Sequence, residues 1–343
     1  MSSELGCAGH TARYDFPMLI AAEEVRSDFA DLDVPWWAWV ALLGVIIAML
    51  AIDLVRHRGD KEPTLRGALT ESTVWVICGL SFGVVVLIAF GSQAFGEYIS
   101  GYLIEKSLSV DNVFVWSMIF TTMAIPLKYQ HRVLFWGIFG ALTLRAVFIF
   151  AGSALISRFW WLLLVFGVFL MFTGVRVLRH RADEGQHQAT RGLGLLRKVM
   201  PISEELDGQK FFTRIDARRA ATPLFAALVV IEITDVIFAV DSVPAILAVS
   251  NEPYLVFASN AFAILGLRAL YFLLATAKDR FHYLSHALGA ILIFVGIKMS
   301  ISHWVHINTY VSLAIIIAML AGAIVFSIRR AAELEKQRAH AID

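Results

Sequence analysis

Five carboxylates lie inside otherwise oily stretches of this 343-residue chain: Glu105 and Asp111 in EKSLSVDNVFV, and Glu232, Asp235 and Asp241 in IEITDVIFAVDSVPAIL. Asn112 follows Asp111 and Ser242 follows Asp241, so a neutral oxygen stands at the same place in each segment. Carboxylates clustered with amide, hydroxyl and carbonyl oxygens suit hard cations such as Mn²⁺, Mg²⁺ or Ca²⁺. Zinc and copper are less favoured, because no Cys or His accompanies the acids. An oxyanion would be repelled unless it docked on Arg145 and Arg268. An acid at the centre of a membrane span costs about 2.5–3.5 kcal/mol on insertion scales, so five need compensation. Two sources are open: structural ion pairs with Lys106, Arg145 and Arg268, or a bound cation held by Glu105, Asp111, Asn112, Glu232, Asp235, Asp241 and Ser242. Intramembrane ionisable groups argue first for function. A mixture is also open, with Arg145 and Arg268 holding Glu232 or Asp235 while the other acids bind substrate.

The surroundings are those of a membrane. Hydrophobic residues make up 58% of the chain and charged ones 17%, and the mean hydropathy is +0.70. These values mark an all-α polytopic membrane protein. A formal net charge of +1 makes no case for nucleic acid. Residues 1–35 read as an acidic soluble tail without the basic start and apolar run of a signal peptide. Nine apolar runs then reach the roughly 20 residues that cross hydrocarbon. They are Trp36–Val55, Thr73–Gly91, Tyr98–Thr122, Val133–Ile156, Phe159–Leu178, Thr222–Val249, Tyr254–Ala277, Leu284–Ile301 and Thr309–Ile328. Most Lys and Arg fall in the connections after the odd-numbered runs, whereas only Arg13, Arg26 and Arg158 fall on the opposite side. Basic loops stay cytoplasmic, which predicts an inner (plasma) membrane protein with its N-terminus outside and its C-terminal tail, 329–343, inside. The cytoplasmic loop 179–221 reads as a flexible linker between two halves.

Those halves are similar. EKSLSVDNVFV lies over DVIFAVDSVPA, pairing Glu105 with Asp235, Asp111 with Asp241 and Asn112 with Ser242. ALTLRAVFIF lies over ILGLRALYFL, pairing Arg145 with Arg268, and FTGVRV over FVGIKM, pairing Arg176 with Lys298. Each unit, about 98–178 and 222–301, has three spans. An odd count makes the second copy enter the membrane from the other side, so the repeats are predicted to be inverted, with a midplane site between them. Pro244 clashes with the carbonyl of Val240 and predicts an opened helix beside Asp241. Glu105 and Asp111, six apart, diverge by about 120° on an unbroken helix.

The remaining residues suggest simpler roles. His282 and His286 share a helix face amid interfacial aromatics, and packing there is the favoured reading over an accessory metal contact. His303 and His306 of HWVH read as a surface turn. Tryptophans such as Trp36, Trp37, Trp160 and Trp161 read as an interfacial belt. Two cysteines, Cys7 and Cys78, exclude a disulfide framework. No Walker lysine loop, GxGD, GxSG or HExxH motif occurs, which argues against an ATP-driven pump and against a membrane hydrolase. Export of two charges against 100 mV costs about 4.6 kcal/mol, which exchange for protons would supply.

The paired motifs EKSLSVDNVFV and IEITDVIFAVDSVPA resemble the TerC family of integral membrane proteins, over most of the chain from about Thr73 to Ile328. That resemblance implies two inverted three-helix repeats and Mn²⁺ efflux. It further implies a metal site drawn from Glu105, Asp111, Asn112, Glu232, Asp235, Asp241 and Ser242, with no resident cofactor. The family is also associated with tellurite resistance, and some relatives with assisting membrane insertion or metal supply. A non-transporting helper is therefore the competing expectation. Self-assembly is left open.

Overall fold

The computed structural model describes residues 29–56, 64–159, 161–179, 203, 206–215, 218–276, 283–301 and 307–340. In chain order the elements are α1 (Trp36–Arg56), α2 (Leu65–Thr122), α3 (Leu127–Arg158), α4 (Leu162–Arg179), β1 (Phe212–Ile215), β2 (Arg218–Ala221), α5 (Pro223–Leu247), α6 (Pro253–Leu265), α7 (Leu267–Thr276), α8 (Leu284–Ile301) and α9 (Thr309–His340). Among the described residues seven helices are long and apolar enough to cross a membrane, α6 and α7 counting together as one, and a shorter apolar helix covers His286–Ile301.

If straight, the 58 residues of α2 would run about 87 Å, nearly three hydrocarbon thicknesses. They fold back at Gly91, whose φ of 87° and ψ of −179° suit glycine alone. Nothing lies within 4 Å of where its Cβ would be, so the backbone conformation, not space, demands glycine. The limbs then pack side by side: the Tyr98 hydroxyl donates to the Gly79 carbonyl at 2.9 Å, and the Tyr102 ring fills the notch at Gly79. The runs Thr73–Gly91 and Tyr98–Thr122, read as separate from sequence, are these two limbs.

A second interruption falls at Gly266, between α6 and α7, within the run read as Tyr254–Ala277. The opening predicted at Pro244 is absent. Helix α5 runs through that proline to Leu247, and only one turn follows it, so little helix is left to bend away. Backbone breaks therefore sit at two glycines and not beside the acids.

Helix α2 packs on α6, α7 and α5, α3 on α5, and α4 on α8. The α4–α8 contact is the tightest. A Cβ on Gly174 would stand 2.7 Å from the Gly289 carbonyl oxygen, and one on Gly289 2.9 Å from that of Gly174. Gly167 and Gly296 repeat this reciprocal contact at 2.7 and 2.6 Å. Small residues let the two backbones touch, which is how helices associate where lipid removes the hydrophobic drive. Outward faces of α1, α2, α4 and α9 carry Trp36, Ile88, Phe172 and Phe326, each more than 60% exposed, as lipid contact requires.

Connections gather at two ends of the bundle. At one, Ala30 bonds Glu97, and the Tyr310 hydroxyl donates to the Ser92 carbonyl at 2.6 Å. At the other, Arg56 meets Glu71 at 3.3 Å and the Tyr283 amide bonds Ser327 at 3.0 Å. The segment expected to be a flexible linker ends in a structured unit: β1 and β2 pair antiparallel, Phe212 opposite Ala221, and Arg132 of α3 lies 4.9 Å over the Phe211 ring.

Candidate functional site

Two of the predicted acids meet on one guanidinium. Arg145 of α3 is 1% exposed; it bonds Glu105 of α2 at very close range and holds Asp235 of α5 with Nε and Nη2, at 3.3 and 3.1 Å. Its Nη1 also donates to the Ser242 hydroxyl at 3.0 Å. Asp235 and Ser242 are seven apart, two helical turns, so one face of α5 presents both. Glu105 further accepts from Asn260 Nδ2 of α6 at 3.2 Å and from Ser109 at 3.5 Å. The arrangement is a dry, charge-assisted network whose three ionic members come from three helices. With both acids ionised it keeps one net negative charge.

Asn112 lies two turns after Glu105, on the same face of α2, just as Ser242 lies two turns after Asp235. It is 1% exposed and its Nδ2 has no hydrogen-bond partner. Asp111 lies on α2, but its side chain is outside the described residues. Glu232 stands apart from the Arg145 network. Its carboxylate abuts Gly140 of α3, where any Cβ would collide with it, and its Oε2 lacks a partner. Asp241 accepts from Thr173 of α4 at 3.2 Å. The predicted ligands whose side chains are described are thus divided among several places, and among the described residues no three of His, Cys, Asp and Glu converge as a metal group would.

The other two expected charge partners bond elsewhere, although Lys106 stays in electrostatic reach of Glu105. Lys106 donates to the Ala263 carbonyl at 3.1 Å, a cation at the carbonyl end of α6 beside the Gly266 break. Arg268 ion-pairs with Asp53 of α1, with Glu71 and Arg56 in electrostatic reach. The expectation that Arg268 neutralises the motif acids is corrected: α1 supplies its own carboxylate first. Asp53, Asn260 and Thr173 were absent from the sequence reading. Asp53 had a signal, an acid inside an apolar run, as strong as that of the five acids. His282, His303 and His306 lie outside the described residues, and His286 packs 5.9 Å from the Tyr283 ring.

At the end bearing the tail, Glu97 is buried, accepts from the Ala30 amide and the Ser250 hydroxyl at 2.7 Å each, and has Lys298 in electrostatic reach. Nearby, Glu252 accepts weakly from the Leu32 amide at 3.5 Å. Desolvation raises the Glu252 pKa; the Leu32 amide opposes this and Asp31 and Asp33 add to it. A raised carboxylate favours the protonated folded form. Its contribution is complete below the ordinary carboxylate range and is lost as pH climbs through the raised value. Glu252→Gln is therefore expected to leave the melting temperature unchanged in acid and raise it at pH 8. Thermal unfolding at both pH values checks this, and equal shifts would contradict it.

Comparison with known proteins agrees with this architecture. The family model described as "Integral membrane protein TerC family" matches residues 90–335. An uncharacterized membrane protein of Myxococcus xanthus is 47% identical over 291 residues, 84% of this chain and 91% of its own length. A protein of Escherichia coli K12 named "Putative membrane-bound redox modulator Alx" is 44% identical over 292 residues, 82% of this chain and 91% of its own. A membrane protein of Rickettsia bellii is 40% identical over 303 residues, covering 88% of this chain and all of the relative. No solved structure matches. With a multi-helical apolar bundle, paired acidic motifs and a family match across most of its length, the chain belongs to the TerC family of integral membrane proteins.

Proposed function

We propose that this protein is a secondary transporter that exports a divalent cation, Mn²⁺ first, in exchange for protons. The observation that carries the reading is the meeting of Glu105 and Asp235 on Arg145. Carboxylates from matching positions of two similar segments reach one buried point, and a guanidinium stands where a cation would. A hard cation entering here gains two carboxylates and the Ser242 hydroxyl, with Asn112, Glu232 and Asp241 on the same two helices. Displacement of Arg145 by the cation, and of the cation by protons, gives the exchange its two half-cycles. The chain performs no covalent chemistry in this reading, and the metal is cargo.

The transport path lies between two inverted three-helix repeats in a nine-span bundle. Counting the α2 limbs separately and including His286–Ile301 supports nine crossings. The reciprocal glycine contacts support the inversion: in the FTGVRV/FVGIKM register Gly167 matches Gly289 and Gly174 matches Gly296, so each contact is the image of the other. The distribution of Lys and Arg supports a plasma-membrane location with the N-terminus outside.

A second reading is a membrane helper that stabilises partners. One observation favours it, since both acids are already ion-paired and hydrogen-bonded to Arg145 as structural groups would be. The redox name of relatives finds no thiol pair among the described residues, where Cys78 is the one cysteine. Mn²⁺ uptake into inside-out vesicles decides among these. The parent is expected to accumulate Mn²⁺, and Glu105→Gln or Asp235→Asn to lose at least tenfold in rate while remaining inserted. No flux in the parent overturns transport.

A further inference from the structure

We infer that Arg145 and Arg268 are alternative counter-ions for the Glu105–Asp235 pair, and that Asp53 of α1 is a positioning residue that holds Arg268 away from it. The inference rests on the inverted-repeat reading above and assigns a role to α1, which lies outside both repeats.

The register that matches ALTLRAVFIF with ILGLRALYFL places Arg268 where Arg145 stands in the other unit. The helix pairings follow the same exchange, because α3 packs on α5 as α6 and α7 pack on α2. Exchanging the units maps every Arg145 contact onto a possible Arg268 contact: Asp235 onto Glu105, Glu105 onto Asp235, and Ser242 onto Asn112. Two facts separate the occupied arrangement from its image. Ser242 accepts from Arg145, whereas among the described residues no arginine donates to the buried Asn112, whose carboxamide oxygen is the acceptor the image would use. Arg268, the residue that would complete the image, is bonded instead to Asp53.

The route between the two arrangements is built into the backbone. Gly266 breaks the span two residues before Arg268, whereas Thr143, the equivalent position before Arg145, sits in unbroken helix with its hydroxyl on the Phe139 carbonyl at 2.9 Å. The units therefore differ in conformation at the residue where one of them must turn. Lys106 holds the Ala263 carbonyl left at that break. In the metal-free carrier of this design the acid pair is not left bare: as Arg145 retires with one repeat, Arg268 arrives with the other. The strength of the Asp53 contact sets the balance.

The test is a double-mutant cycle read by thermal unfolding of purified full-length protein in detergent. Asp53→Asn alone and Arg145→Ala alone are each expected to lower the melting temperature. In combination, the freed Arg268 neutralises the abandoned acids, so the double variant is expected to melt at or above Arg145→Ala. Asp53→Glu should restore single-variant behaviour. A merely structural Asp53–Arg268 pair gives additive losses, with the double variant melting below either single, and that outcome overturns the inference. Arg145→Met, which keeps the stem and removes the charge, covers the case in which Arg145→Ala does not fold, and additivity there overturns it equally. Mn²⁺ uptake by the parent is scored separately. Its absence removes the transport reading, whereas the sign of the cycle reports the exchange of counter-ions.

Discussion

Arg145→Ala is expected to destabilise the protein by about 3–5 kcal/mol, the cost of stranding buried charge when one partner of an ion pair is removed. The loss falls on two acids at once, because Arg145 is the cation bonded to both Glu105 and Asp235. At 0% and 1% exposure, neither can turn to water. Replacing Glu105 and Asp235 by Gln and Asn in the Arg145→Ala background removes the stranded charge and is expected to recover much of the loss. Chemical or thermal unfolding of the three proteins checks this. A loss unrelieved by the neutral pair would mean that Arg145 acts by packing its stem.

Much of this site was legible because charge in an apolar run is conspicuous. Glu105, Arg145 and Asp235 were all identified from the sequence, and so was their correspondence between segments. What could not be read was the pairing. Helical periodicity fixes which residues share a face, as Asp235 and Ser242 do, but which face meets which is set by packing between helices distant in sequence. Arg268 is the clearest case. Its sequence context matches that of Arg145, and yet Asp53, some 215 residues earlier, claims it. The break at Gly91 was legible, because the apolar run ends there, whereas the one at Gly266 was missed for a related reason. A glycine in a span more often allows close contact than marks a kink, and Gly266 lies inside its apolar run just as Gly167 does. Pro244 misled in the opposite direction, since a proline one turn from a helix end disturbs little.

The glycines between α4 and α8 carry the second large effect. Gly174→Ala, Gly167→Ala and Gly296→Ala are each expected to cost at least the 1–3 kcal/mol typical of overpacking, and Gly174→Leu to prevent a stable fold. The obstacle at each position includes a backbone carbonyl 2.6–2.7 Å from the new Cβ, so no rotamer change can relieve it. The helices must part. Nor can a partner be trimmed in compensation, because the facing residue is already glycine. The two contacts lie two turns apart, about 10 Å, so alanine at both Gly167 and Gly174 should cost nearly the sum of the singles. Gly44 and Gly322 supply the control: nothing lies within 4 Å of a Cβ at either, and alanine there should gain roughly 0.5–1 kcal/mol from helix propensity. Melting temperatures of this set separate close packing from a general need for glycine. If the α4–α8 variants behave like Gly44→Ala, the backbone contact between α4 and α8 has no energetic weight. The Glu105–Arg145–Asp235 network would then have to hold the halves together without it.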